Sequence, residues 1–120
     1  NAFNIIIYRG TNGTTADTAD VTQSVGTQTA AVDNMTVRVE VVITATGATG
    51  SYFWSVVPNN KAITATGFGV ATGTAAYSSG TVSSVNLTTA GLKFGIGFSC
   101  ATGTPTITIP FTRATVYNLV

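Results

Sequence analysis

The sequence of 120 residues has the length of one domain with a single hydrophobic core. Its net charge at pH 7 is +1, so we expect no basic surface that could neutralise a nucleic-acid backbone. It contains no histidine and one cysteine, which excludes the usual zinc sites, a Ser-His-Asp triad, a Cys-His dyad and an intramolecular disulfide.

The composition predicts an all-β domain. Only 8% of the residues are charged, whereas threonine, valine and isoleucine together make 46 of the 120. These β-branched residues fit a pleated sheet, and no segment shows helical spacing over three turns. No apolar run approaches the roughly 18 residues of a membrane span. We therefore expect a non-catalytic protein with no membrane segment and no cofactor. Because the sequence opens on Asn1, we expect a processed chain or part of a longer one.

Two candidate strands open the chain, at residues 3–8 and 21–29. Residues 10–13, between these strands, have the composition of a turn. Asp17 and Asp20 follow and, with Asp33, could supply oxygen ligands to calcium. A calcium loop normally brings more oxygen ligands at tighter spacing, so we interpret these aspartates as turn formers and predict no metal site.

The clearest strand covers residues 35–44. Its alternate residues predict one buried face: Met35, Val37, Val39, Val41 and Ile43. Arg38 and Glu40 lie two residues apart on the other face, where we expect them to form an ion pair. This pairing accounts for Glu40 better than a catalytic carboxylate pair does, because the chain has only four acidic residues.

An aromatic cluster lies in the next candidate strand, at residues 51–57. Alternation places Tyr52 and Trp54 on one face and Phe53 on the other. Such rings most often belong to a core or a subunit interface, and the alternative is stacking on a ligand. Residues 58–60 have turn composition, so Asn59, Asn60 and Lys61 are predicted to form a loop that could contact a glycan.

A second well-patterned strand covers residues 92–99, where large apolar side chains alternate with small or charged ones. Gly95 and Gly97 leave its outer face nearly bare, which indicates close packing by an aromatic ring or a neighbouring subunit, or else a face open to water. Cys100 follows and is predicted to be a small buried hydrophobic residue, with a reactive thiol as the alternative.

Weaker candidates bring the total to about eight strands: residues 63–70, 80–87, 106–112 and 114–119. Further turns are predicted at residues 46–50, 78–80 and 102–105. Short strands separated by turn signals predict an antiparallel β-sandwich or barrel. The repeat of Ile-Thr-Ala-Thr-Gly at residues 43–47 and 63–67 would suit a β-solenoid, but the irregular spacing of Ala-Thr-Gly triplets favours the sandwich.

The order of these segments resembles a known family. The segments that carry the resemblance are the Gly/Thr-rich residues 10–17 after an apolar strand, the alternating strand leading into residues 46–50, and the closing segments 107–109 and 114–119. Together they resemble the jelly-roll domains of tailed-bacteriophage virion proteins, which include capsid decoration proteins and the knobs of head or tail fibres. The resemblance spans nearly the whole chain. It implies one eight-stranded antiparallel jelly roll over residues 1–120, usually as a homotrimer, with no catalytic residues.

The resemblance leads us to expect a structural protein on the virion surface, in contact with its own copies and with other virion proteins such as the major capsid protein. We predict the subunit interface at large or bare positions: Tyr52, Trp54, Gly95, Gly97, Tyr117 and Leu119. Two alternatives stay open. One is a receptor-recognition module that binds a host glycan, and the other is a bacterial surface or pilus-like β domain.

Overall fold

The computed structural model describes residues 2–27, 34–61, 78–100 and 115. These residues form six β-strands and no helix: β1 (Ala2–Gly10), β2 (Thr18–Thr27), β3 (Asn34–Ala45), β4 (Gly50–Lys61), β5 (Ser78–Val85) and β6 (Lys93–Cys100). The candidate strands at residues 63–70, 106–112 and 114–119 lie outside the described residues, apart from Thr115.

The strands form two antiparallel sheets, which confirms the all-β prediction. The first sheet has the order β2-β1-β6 and the second has the order β3-β4-β5. Strand β1 is central to the first sheet, and its pairing with β6 runs from Phe3 opposite Cys100 to Gly10 opposite Lys93. This pairing brings segments about 90 residues apart in the sequence into one sheet, which alternation within single strands could not predict.

Strands β3 and β4 form a long hairpin, paired from Asn34 opposite Lys61 to Ala45 opposite Ser51. The turn predicted at residues 46–50 is confirmed, and Gly47 adopts a φ of 110°, a conformation that favours glycine. The turn predicted at residues 58–60 is wrong, because β4 continues through them. Pro58 lies beyond Val56, the last residue of β4 for which the structure describes a pairing with β5, and proline has no N–H to donate to such a pairing.

The predicted turn at residues 78–80 is also wrong, since these residues begin β5 and pair with β4. Gly80 lies opposite Trp54 in that pairing. The serines and the glycine of this segment gave it turn composition, but cross-strand packing against a large aromatic residue compensates for the weak strand propensity of glycine.

The core lies where the inner faces of the two sheets meet. Phe3 and Ile5 from β1 form a buried cluster with Val56 from β4. Ile7, on the same face of β1, and Tyr52, on the same face of β4, are fully buried. Full burial of one such side chain contributes about 1.5–3 kcal/mol, so this short list of residues carries much of the attraction between the sheets.

The alternating strands are less buried than their patterns predicted. Val37 and Val39 pack partly buried against the core, but Ile43, on the same face of β3, is 44% exposed. Phe94 and Ile96 of β6 are 36% and 47% exposed. Among the described strands β6 lies at the edge of its sheet, so it has a neighbour on one side only. Alternation identifies the face on which a residue lies but not whether another sheet covers it.

Candidate functional site

A polar network joins the two sheets. Asp20 of β2 accepts two hydrogen bonds from Arg9 of β1, from Nε at 2.6 Å and from Nη2 at 3.1 Å. The hydroxyl of Tyr52, in the opposite sheet, donates to Oδ2 of Asp20 at 2.9 Å. The side chains of Arg9 and Asp20 are only 16% and 5% exposed. The charge of the carboxylate is thus matched by a bidentate guanidinium and a phenol.

A β-bulge places Asp20 in this position. Ile7 pairs with Val21 and the next residue, Tyr8, pairs with Ala19, so Asp20 has no partner on β1. An unpaired bulge residue is free to turn its side chain out of the regular alternation. The sequence prediction of Asp20 as a solvated turn former is wrong for this reason, and neither β-propensity nor spacing signals the bulge.

The environment of Tyr52 changes its acidity. Burial, and then the hydrogen bond and negative charge of Asp20, raise the pKa of the Tyr52 phenol above its ordinary value, while Arg9 opposes the shift. The ring also packs edge-on against Phe94, with centroids 5.1 Å apart. Tyr52 is fully buried within the chain, so of the alternatives that the sequence left open it occupies a core position. It has no exposed surface that a second subunit could contact.

Two glycines accommodate aromatic rings on the neighbouring strand. A Cβ added at Gly97 would lie 2.6 Å from Cε2 of Tyr8, and one at Gly80 would lie 3.0 Å from Nε1 of Trp54. At Gly95 the nearest atom is Cβ of Tyr8, at an ordinary contact distance of 3.7 Å. The aromatic-ring interpretation is therefore confirmed for Gly97. Tyr8 did not stand out in the sequence, because its glycine partner lies on a strand distant in the chain.

The exposed face of β3 carries the predicted ion pair. Nη2 of Arg38 lies 3.3 Å from Oε2 of Glu40, and both side chains are largely exposed to solvent. Solvent screening limits such a pair to about 0–1 kcal/mol. Glu40 is thus engaged with a cation on the surface, as the sequence predicted.

The loop between β1 and β2 is organised by Asp17. Its Oδ1 accepts the backbone N–H of Asn12 at 3.1 Å, and its Oδ2 accepts that of Gly13 at 2.7 Å. Partial desolvation acts to raise the pKa of Asp17, but hydrogen bonds from Asn12, Gly13 and Thr14 outweigh it and hold the pKa below its usual value. The turn-forming role predicted for Asp17 is confirmed.

The described residues contain no cluster of three or more His, Cys, Asp or Glu side chains able to hold a metal ion. Asp17 and Asp20 each bind their own donors, in the loop and in the network respectively. Asp33, the third predicted oxygen donor, lies outside the described residues.

Large apolar side chains remain exposed around Tyr52. Ile43 is the cross-strand partner of Tyr52, Phe94 packs on its ring, and Ile96 lies two residues further along the same face of β6. We name Ile43, Phe94 and Ile96 the open side. All three lie on strand faces that carry buried residues elsewhere, yet each keeps more than a third of its surface accessible. Exposed apolar side chains that lie close together are a common feature of surfaces that contact another molecule.

The remaining candidate residues are distributed over the fold. Asn59, Asn60 and Lys61 belong to β4, where their backbones pair with β3, so the loop predicted there is wrong. Cys100 ends β6, partly buried against the core cluster, in agreement with a small hydrophobic role. Tyr117 and Leu119 lie outside the described residues.

The described residues form an all-β domain of two antiparallel sheets, and a buried ion-pair network joins these sheets. The described part of the chain has no helix long and apolar enough to cross a membrane. Searches against family models, curated proteins and solved structures found no match to this chain.

Proposed function

We propose that this chain is a non-catalytic structural protein that works as a homotrimer on the surface of a tailed-phage virion. Its two sheets would form a jelly-roll β-sandwich of about eight strands, with the further strands drawn from the segments outside the described residues. The phage assignment follows from the resemblance of the sequence, and the open side is the structural observation that supports assembly.

The composition of the open side favours assembly. Ile43, Phe94 and Ile96 expose large apolar surface in a chain that has few charges to keep copies apart. Burying apolar surface stabilises an assembly by about 25 cal/mol per Å². Copies of a near-neutral chain repel each other only weakly when they associate. A closed symmetric assembly would remove this surface from water.

The open side is a better candidate for the contact than Tyr52, Trp54 and Gly97, which the sequence suggested. Tyr52 is fully buried, Tyr8 covers Gly97, and Trp54 packs partly against the core. A second copy could cover Phe94 and Ile96 directly, because both keep more than a third of their surface exposed on a strand at the edge of the described first sheet.

A matched pair of variants tests the proposal. Ile96→Asn and Val42→Asn each replace an apolar side chain of similar exposure, 47% and 44%, but Val42 lies on the opposite face of β3 from Ile43. Light scattering should find three times the chain mass of 12.2 kDa for the native protein and for Val42→Asn, and a smaller mass for Ile96→Asn. A native monomer, or equal weakening by both variants, would remove the support from the open side.

Location on the particle needs a separate experiment. The purified protein is mixed with phage capsids that lack it and, in parallel, with host cells. Sedimentation with capsids alone would support decoration, and binding to cells alone would support a receptor-recognition module. In the second case Asn60→Ala should reduce cell binding if residues 59–61 contact a glycan. Binding to neither would count against the virion-surface proposal.

A further inference from the structure

The loop that connects β1 and β2 contains an Asn-Gly pair, Asn12 and Gly13, on the surface of the protein. In such a pair the backbone nitrogen of glycine can attack the side-chain carbonyl carbon of asparagine. Glycine favours this reaction because it has no Cβ to hinder the approach. Asn12 is therefore a candidate for a covalent modification that needs no enzyme.

The chemistry balances with water as the only other reactant. The Gly13 nitrogen loses its proton to solvent base and bonds to Cγ of Asn12, and the side-chain amide leaves as ammonia. The five-membered succinimide that results is opened by water at either carbonyl, giving aspartate or isoaspartate. The product carries one more negative charge, which takes the net charge of the chain from +1 to zero.

The structure places one carboxylate against the attacking nitrogen of Gly13 and the backbone N–H of Asn12. Oδ2 of Asp17 accepts the Gly13 N–H at 2.7 Å, and Oδ1 accepts the Asn12 N–H at 3.1 Å. Asp17 is itself fixed by its own N–H, which donates to the carbonyl of Thr14 at 3.1 Å.

These contacts oppose the reaction in two ways. The negative charge of Asp17 disfavours the anion that must form on the Gly13 nitrogen, because like charges this close repel. Attack on Cγ of Asn12 also requires the Gly13 nitrogen to give up its 2.7 Å hydrogen bond to Asp17. The loop is further tied to β6, since Nζ of Lys93 donates to the carbonyl oxygen of Thr11 at 3.1 Å.

We propose that Asn12 is a latent deamidation site and that Asp17 sets its rate by holding the backbone N–H groups of Gly13 and Asn12. Asp17 thereby acts as a positioning residue for the loop, and its loss would start the conversion of Asn12 into aspartate and isoaspartate. The folded loop keeps the site dormant, and opening of the loop releases it.

The test measures deamidation of the purified full chain at pH 8 by peptide mass spectrometry and by isoelectric focusing. Asp17→Ala should deamidate at Asn12 about tenfold faster or more, the scale expected for losing hydrogen bonds to a charged acceptor. Thr14→Ala is the matched loop control, because it removes the bond from Ala16 N–H to the Thr14 hydroxyl and leaves Gly13 in place. This control should react at the native rate.

A second measurement holds even if Asp17→Ala perturbs the fold. Unfolding the native chain in urea should raise its rate of Asn12 deamidation, and the Asp17→Ala and native chains should then react alike. An Asp17→Ala chain that reacts no faster when folded, or reacts more slowly, would overturn the proposal, and the slower outcome would identify Asp17 as the base. Equal native rates in buffer and urea would overturn it too.

Discussion

Asp20 is a buried, charged residue that links the two sheets. Its carboxylate accepts hydrogen bonds from Arg9 in its own sheet and from Tyr52 in the other. Removing a single partner from a buried network leaves a polar group unsatisfied, which costs more than the intact bond contributes. The network is therefore expected to respond strongly to small changes.

Tyr52→Phe removes only the hydroxyl that donates to Asp20. We expect the free energy of unfolding to fall by about 1.5–3 kcal/mol, the range for a hydrogen bond to a charged group. Urea denaturation measures the change, with Tyr8→Phe as the control for a tyrosine hydroxyl away from Asp20. Equal losses in the two variants would contradict a specific role for the network.

The raised pKa of Tyr52 also predicts a dependence of stability on pH. The unfolded chain releases the phenolic proton near pH 10, whereas the folded chain retains it to higher pH. Above about pH 10 the folded state binds more protons, so stability should fall by up to about 1.4 kcal/mol per pH unit. Denaturation midpoints between pH 8 and 11 test this, and Tyr52→Phe should flatten the decline.

Gly97 and Gly95 make a matched pair at the residue scale. Gly97→Ala places a methyl group 2.6 Å from Cε2 of Tyr8, so the ring must move, at a cost of about 1–3 kcal/mol for overpacking. Gly95→Ala meets only an ordinary contact at 3.7 Å and should be neutral or mildly stabilising. Thermal unfolding of both variants checks the difference, and a reversed order would refute the packing of Tyr8 over Gly97.

At the scale of single elements, irregular pairing shapes the strands as much as alternation does. The bulge at Asp20 aims a carboxylate into the network, and another irregularity in β5 leaves Ser84 unpaired between Ser83 and Val85. Ser84 has a φ of 59°, which lies in the left-handed region that residues other than glycine adopt only at a cost in free energy.

Ser84→Gly should relieve this strain and stabilise the protein by about 0.5–1 kcal/mol. Ser83→Gly is the control, because Ser83 pairs regularly with Ser51 and glycine there should weaken the strand by a similar amount. Differential scanning calorimetry would show the two melting temperatures moving in opposite directions. Parallel shifts would mean that β5 is regular at Ser84.

The sequence predicted strands better than it predicted their ends. Alternation located β3 and β6, and period-two spacing correctly paired Arg38 with Glu40 on one face. Turn composition misled at residues 58–60 and 78–80, because proline, asparagine, serine and glycine also occur in strands. Residues 58–60 pair with β3, and the ring of Trp54 packs against Gly80. The network of Arg9, Asp20 and Tyr52 could not be predicted, since it depends on a bulge and on contact between two sheets.

At the scale of the whole molecule, the proposed trimer would account for both the scarcity of charge and the exposure of Ile43, Phe94 and Ile96. An isolated chain would hold apolar surface in water with little repulsion between copies, which favours association. Threonine hydroxyls can hydrogen-bond to water on the exposed faces of the sheets, but threonine gives edge strands little protection against pairing with strands of other copies. β5 shows this, since it contains no charged residue and lies at the edge of the described second sheet.

The most direct test of this account is the mass of the native protein in dilute solution, measured by light scattering over a range of concentrations. The account predicts a closed trimer of the 12.2 kDa chain that persists on dilution and that Ile96→Asn weakens while Val42→Asn does not. A folded native monomer at every concentration would contradict it.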